Sequence, residues 1–435
     1  MTTQSNRQPL SAADASNLLL EHPGQPFTIG VAAVVAAGAI LTAAGTPDVE
    51  RLREILAPRI RSVPRLCRRV VPAGDAPWRR AVWVDCEVDL RQHIRAADPV
   101  SGAAGFAELA SRLISRPLPR DRPLWDMVVV AGVAPGQVGI IVRMHHAVAD
   151  GVTGVGIMAA LFDPLSPTAD PPPVAAGPPQ PSPPGRLLTF LQVAAATAGS
   201  AAVMLRRVPR TALVGPLGPR RRVTFLTTDV EAVRRAAHAA GVTVNDVLLS
   251  AVGSATQALL AAQGRQPFEL PVSVPVALPA QGDGRHASAG GNRVGVMVIR
   301  LPLTAAPHRR LALIAAATRR GKRRARLVGA FPLTAGRCST RLMSLMSRHQ
   351  RTVALFVTNV HGPAARLSIA GADVMTLWPL TVLAGNVRVS VAALSYAGNL
   401  GITITSDADN LGGIAVFVED LRRSMPSRIT ATPSI

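Results

Sequence analysis

A chain of 435 residues that is 48% hydrophobic and 17% charged can bury two or three domain cores, which excludes global disorder. Its net charge of +21 is almost all arginine and points to anionic partners or to a broadly solvated basic surface. With only 3% aromatic residues it lacks the stacking platforms that single-stranded nucleic acid requires.

The opening MTTQSNRQPLSAADAS is polar and does not read as a signal peptide. A helix cue at Ser11 to Leu20 comes first, then an apolar strand-like run from Ile29 to Leu41 that is too short to span a bilayer. Helix follows at Val49 to Leu56, strand at Trp83 to Val88 and helix at Ala107 to Leu113. Met127 to Val130 and Val138 to Met144 read as a hairpin across Ala134-Pro135-Gly136, and Val152 to Phe162 as a helix. Residues 164–184 (PLSPTADPPPVAAGPPQPSPP) are too proline-rich for helix or central strand. They divide the chain into an N-terminal domain, 1–163, and a C-terminal domain, 185–435. Leu187 to Leu205 has spanning length, but its Gln192, Thr197 and Ser200 favour a core or interface helix. Beyond it, strands are expected at Arg222 to Leu226, Val272 to Val276, Arg293 to Leu301, Ala354 to Asn359, Val387 to Ser395 and Leu400 to Thr405. Helices are expected at Asp229 to Ala240, Val244 to Gln263 and residues 410–424. The pattern is α/β (α+β): two halves with mixed sheets flanked by helices rather than a continuous parallel repeat.

Cys67, Cys86 and Cys338 are odd in number, far apart in the chain and without metal-ligand spacing. No disulfide framework or zinc site is expected, and a reducing compartment fits. Basic clusters occur at Arg206, Arg207 and Arg210, at Arg220 to Arg222 and at Arg319 to Arg326. Nucleic acid, an acidic lipid surface or a phosphate-bearing ligand could each answer them.

The sharpest feature is HHAVADG, His145 to Gly151, set between the strand VGIIVRM and the helix VTGVGIMAALF. A strand end lets a loop present His146 to a cleft, where neutral imidazole accepts a proton near pH 7. His145 supports the loop or lines the site. Asp150 orients the ring or braces the loop through a cation. Gly151 permits a tight turn or the close approach of a ligand. A metal site from His145, His146 and Asp150 is disfavoured, because adjacent histidines point apart on extended backbone. No G-x-S-x-G elbow is present.

The HHxxxDG string resembles the signature of the chloramphenicol-acetyltransferase-like superfamily. Over nearly its full length the chain resembles the bacterial wax ester synthase/diacylglycerol acyltransferase family, especially its actinobacterial triacylglycerol synthases. The matching pieces run in order: Pro9-Leu10-Ser11 with Asp14, Leu18 and Glu21; Pro64-Arg65-Leu66; Trp83-Val84-Asp85; Pro117-Leu118-Pro119; and Asp121 to Trp125. After the linker come Val244 to Val247, Gly291 to Val294, Thr358-Asn359-Val360 with Gly362-Pro363, and Ser395-Tyr396 with Gly398. Asn17, Thr28 and His361 depart from the family's usual residues.

The resemblance implies two chloramphenicol-acetyltransferase-like domains with the active site at their interface. It implies direct transfer from long-chain acyl-CoA, a substrate and not a bound cofactor, to diacylglycerol or a long-chain alcohol, with His146 as general base. Asn245 becomes a candidate donor to the oxyanion or the acceptor alcohol, or else a plain N-cap. Gly151 would let CoA or the acyl chain pass near the backbone. Further expectations are no metal, no nucleic acid, and a cytoplasmic protein bound peripherally to an anionic membrane or lipid-droplet surface. A lipid-surface protein without catalysis is the rival reading.

Overall fold

The computed structural model describes residues 7–22, 24–72, 81–164, 207–277, 294–328, 345, 347–426 and 430–431. Most of the linker, the 187–205 stretch, Arg206, Cys338 and Gly291 to Arg293 lie outside the described residues.

Two seven-stranded mixed sheets organise the molecule. The first is built from β2 (Thr28–Ala36), β5 (Ile94–Ala96), β6 (Trp125–Ala134), β7 (Gln137–His145) and β8 (Asp163–Pro164), completed by β13 (Leu367–Ile369) and β14 (Ala372–Leu380). The β6–β7 hairpin turns at the expected Ala134-Pro135-Gly136, where Gly136 takes the left-handed backbone that the turn needs. Helices α1 (Ala12–Leu20), α2 (Val49–Ser62), α3 (Leu90–His93), α4 (Gly102–Ile114) and α5 (Gly151–Leu161) accompany this sheet. A small three-stranded sheet joins β1 (Arg7–Pro9), β3 (Arg68–Val71) and β4 (Val82–Asp85).

The second large sheet contains β9 (Arg221–Asp229), β10 (Glu269–Ala277), β11 (Val294–Pro302), β12 (Leu355–His361), β15 (Val389–Tyr396), β16 (Asn399–Asp407) and β17 (Thr430–Ala431). Its helices are α6 (Val230–Ala239), α7 (Val244–Ala262), α8 (Pro307–Val328) and α9 (Ile414–Ser424). Helix α7 has the length and apolarity of a membrane span. It buries Leu248, Leu249, Val252, Leu259 and Leu260 in the second core and packs on α9, so its hydrophobicity is used inside the protein.

The sheets do not respect the division at the linker. Strands β13 and β14 come from the C-terminal half yet complete the first sheet, β14 pairing with β2 and β13 with β8. The physical reason lies in β2: Val31 to Val35 are all buried, so this strand needs a neighbour on each edge. β7 supplies one edge and β14 the other. Pro164, placed in the linker from sequence, is already paired with Leu367. Tyr396, the single tyrosine, pins the crossover: its hydroxyl accepts from Leu367 N at 2.8 Å and donates to the Val374 carbonyl at 2.9 Å. Where β14 crosses β16, a side chain at Gly401 would collide with the Leu377 carbonyl.

One further expectation changes, and the cysteines gain a spatial relation the spacing did not show. Arg221, counted in a basic surface cluster, is buried and donates to the Gly24 carbonyl, tying the halves together. Cys67 and Cys86 are cross-strand neighbours flanking β3 and β4, both free, and burial pushes both thiols above their ordinary value.

Candidate active site

The HHAVADG loop connects β7 to α5 and is held from all sides by residues that lie far apart in the chain. His145 N donates to the Leu124 carbonyl and His146 N to the Phe27 carbonyl at 2.8 Å. Arg65 reaches the Ala147 carbonyl at 3.3 Å and the buried Asp14 carboxylate at 3.1 Å, with its guanidinium over the Trp83 ring. Trp125 donates its indole N–H to the Leu66 carbonyl at 2.9 Å. The short strings around Asp14, Arg65, Trp83 and Trp125 are therefore one cage around the loop. Ala147, Val148 and Ala149 join a core cluster that also takes Leu394 and Tyr396 from the second half. Gly151 faces a Val360 methyl at 3.4 Å, the separation its β-carbon would have. The loop thus sits on the seam between the two large sheets.

The two histidines have different surroundings. His145 is 1% exposed, and its Nδ1 accepts the Ala147 N–H at 3.0 Å. The proton is therefore on Nε2, which faces Glu21 Oε2 at 3.7 Å. Glu21 also binds Arg120 and Phe27 N, so His145 belongs to the scaffold of the loop. Burial lowers the His145 pKa to about 4, a Glu21 carboxylate opposing the shift. The unfolded chain therefore takes up a proton below pH ~6.5 that the fold refuses until about pH 4. Stability contributed by neutral His145 is complete above pH ~6.5 and lost as pH falls toward 4, at most ~3 kcal/mol. Urea unfolding between pH 4 and 7 should show this slope in the wild type and a shallower one in His145→Gln. Equal slopes would contradict the assignment.

His146 retains partial solvent access. A hydrogen bond with its own backbone carbonyl favours the protonated ring. A neutral imidazole of either tautomer keeps one ring nitrogen able to accept a proton. Asn17 Nδ2 donates to the same carbonyl at 2.9 Å, which brings it within 3.4 Å of Nδ1. Phe27 lies against the ring, with centroids 5.7 Å apart. Burial lowers the His146 pKa, while its carbonyl bond and the Asp150 and Asp14 carboxylates act in the opposite direction. The net downward shift keeps the ring neutral near pH 7.

Asp150 is buried and caps α5, accepting the Thr153 N–H at 2.7 Å, and its charge acts on His146. Arg65 braces the loop at the Ala147 carbonyl and pairs with Asp14. Asn245 is the second residue of α7, and the cap is Thr243, in a reciprocal box with Asp246. The N-cap alternative for Asn245 is thereby corrected: Thr243 precedes it with a hydroxyl already set for the role. Asp246 also accepts the Thr318 hydroxyl at 2.7 Å and ties α7 to α8. Asn245 makes no side-chain hydrogen bond among the described residues, so it is not joined to His146. Asn17 was legible only as a departure; its contact with His146 arises from packing α1 beside a loop 129 positions away.

The architecture is that of the two-sheet transferases and condensation domains. It matches a wax ester synthase/diacylglycerol acyltransferase from Marinobacter aquaeolei VT8 with a TM-score of 0.66 at 19% identity, covering 96% of this chain and 98% of that one. A trichothecene 15-O-acetyltransferase from Fusarium sporotrichioides matches at 0.63 and 12% identity, covering 96% and 94%. In sequence, residues 10–205 and 185–248 match the wax ester synthase/diacylglycerol acyltransferase catalytic domain, and residues 290–427 the C-terminal domain of the same family. The chain belongs to this family, acyltransferases of neutral-lipid synthesis. A Mycobacterium tuberculosis H37Rv protein named as probable diacylglycerol O-acyltransferase Tgs1 is 30% identical, covering 89% of this chain and 90% of its own. A second protein of that species (strain CDC 1551), named provisionally for the same activity, is 28% identical, covering 93% and 88%.

Proposed function

We propose that this protein transfers a long-chain acyl group from acyl-CoA to the free hydroxyl of diacylglycerol, making triacylglycerol. The observation that carries the reading is His146: a ring at the seam that burial keeps neutral, so that it can accept a proton. Two barriers oppose the reaction: the alcohol is a weak nucleophile, and the tetrahedral intermediate bears an oxyanion. The unprotonated ring nitrogen takes the hydroxyl proton as the oxygen attacks the thioester carbonyl. Collapse of the intermediate breaks the carbon–sulfur bond, and the imidazolium returns its proton to the departing thiolate as CoA-SH. No covalent enzyme intermediate is needed. The protein would work in the cytoplasm at an anionic membrane or lipid-droplet face.

The test supplies purified protein with labelled oleoyl-CoA and a panel of diacylglycerol, monoacylglycerol and hexadecanol. Triacylglycerol as the main product is expected. A preference for hexadecanol would replace the acceptor while keeping the chemistry; no product from any acceptor would end the enzymatic reading. A second expectation concerns Asn17. Asn17→Leu removes the amide that holds the His146 carbonyl, and kcat should fall about tenfold with KM retained. The acid limb of the pH–rate profile should move as well, since the amide beside the ring Nδ1 is removed. An unchanged kcat and profile would assign Asn17 no part in positioning the ring.

A further inference from the structure

Neither of two cavities found outside the seam is lined by His146. One, of about 320 Å³, lies between α4 and β5–β6, where Asp126 already pairs with Arg95 and Arg143. The other, of about 750 Å³, opens in the second half between residues 209–216, the turn after α7 and residues 348–351. Arg210, Arg265, Arg348, His349 and Arg351 converge on it from these three stretches, and no Asp or Glu lines it among the described residues. Arg210, Arg265 and Arg348 are exposed and make no ion pair or side-chain hydrogen bond among the described residues.

The walls are fixed without help from a ligand. Gln350 Nε2 donates to Asn386 Oδ1 at 2.7 Å, and Asn386 Nδ2 returns a bond to the Gln350 carbonyl at 2.9 Å. Gln350 Oε1 accepts from Thr352 N and Val353 N, Arg351 donates to the Val208 carbonyl, and Gly215 N donates to the Asn386 carbonyl. Fixed walls hold like charges together at a cost that a multivalent anion relieves. Guanidinium forks match phosphate oxygens in pairs.

The cleft also communicates with the catalytic loop. Asn386 is three residues from Leu383, whose carbonyl accepts from Gln25 Nε2 at 3.1 Å. Gln25 is two residues from Phe27, whose carbonyl holds His146 N. That route sets an upper bound of roughly 35 Å between Asn386 and His146 N.

We propose that this arginine cleft binds the phosphates of a ligand that carries two or more of them. Two sources share that chemistry: the nucleotide end of the acyl-CoA donor, and the headgroups of an anionic phospholipid surface. The first source rests on the acyl-CoA reading above, and the test below reads binding without turnover, so the two can fail separately.

The probe for the first source is adenosine 3′,5′-bisphosphate, titrated calorimetrically into the full-length protein. The probe for the second is sedimentation with phosphatidylglycerol vesicles against phosphatidylcholine vesicles. Both are run on wild type, on Arg265→Glu/Arg348→Glu, and on Arg265→Gln/Arg348→Gln; the latter pair removes charge without reversing it. The expected result is nucleotide binding weakened about tenfold or more in both variants, with vesicle binding changed less than about twofold. Weakened vesicle binding with intact nucleotide binding would assign the cleft to headgroups. Both unchanged would overturn the proposal.

Discussion

His146→Ala should lower acyl transfer by about 10²–10⁴-fold and leave the fold intact. His146 is half-buried as a residue, and the loop's main anchors use other atoms: His146 N on Phe27, His145 N on Leu124 and Arg65 on the Ala147 carbonyl. The variant should therefore melt within a few degrees of wild type while single-turnover acyl transfer disappears. Turnover at the wild-type rate in a folded variant would remove the general base from the mechanism. Because burial lowers the His146 pKa, the wild-type rate should hold as pH falls past the usual histidine range, then drop as the ring finally protonates.

Asp126→Ala should cost about 3–5 kcal/mol of stability, a larger loss than any change within the loop. Asp126 is buried and receives Arg143 through two bonds, Nε to Oδ1 at 2.8 Å and Nη2 to Oδ2 at 2.5 Å. Arg95 adds a third at 2.9 Å. Arg143 is equally buried and also donates to the Leu113 and Arg116 carbonyls, so removing the carboxylate leaves an interior cation without its counter-charge. Arg143 lies two residues before His145 on β7, so activity should fall together with stability. Urea midpoints compare this variant with Asp126→Leu/Arg143→Met, which removes both charges and should cost less. If the double variant were as unstable as the single, the uncompensated-charge account would be wrong.

The class of fold, the hairpin carrying the histidines and the place of His146 at a strand end were legible because they depend on local signals. Alternating apolar residues on either side of Ala134-Pro135-Gly136 specify a hairpin, and HHAVADG is contiguous. Strand β14 was not legible: Asp373 and Pro379 interrupt its apolar pattern, and its partner β2 is more than 330 positions away. Helix α8 was hidden for a related reason. Its RRGKRRAR stretch reads as a charge run, whereas Ile314, Ala315, Thr318 and Ala325 form the buried stripe.

By itself the sequence determined two mixed-sheet halves, a loop-borne imidazole at a strand end and a large surplus of positive charge. Each follows from residues adjacent in the chain or repeating at the period of a helix or strand. Only the tertiary structure decided that the second half lends two strands to the first sheet, that Asn17 sets the carbonyl beside the His146 ring, and that arginines from three stretches meet in one cleft. Those relations are set by how buried strand edges and side chains find partners across hundreds of residues, and no local pattern records that choice.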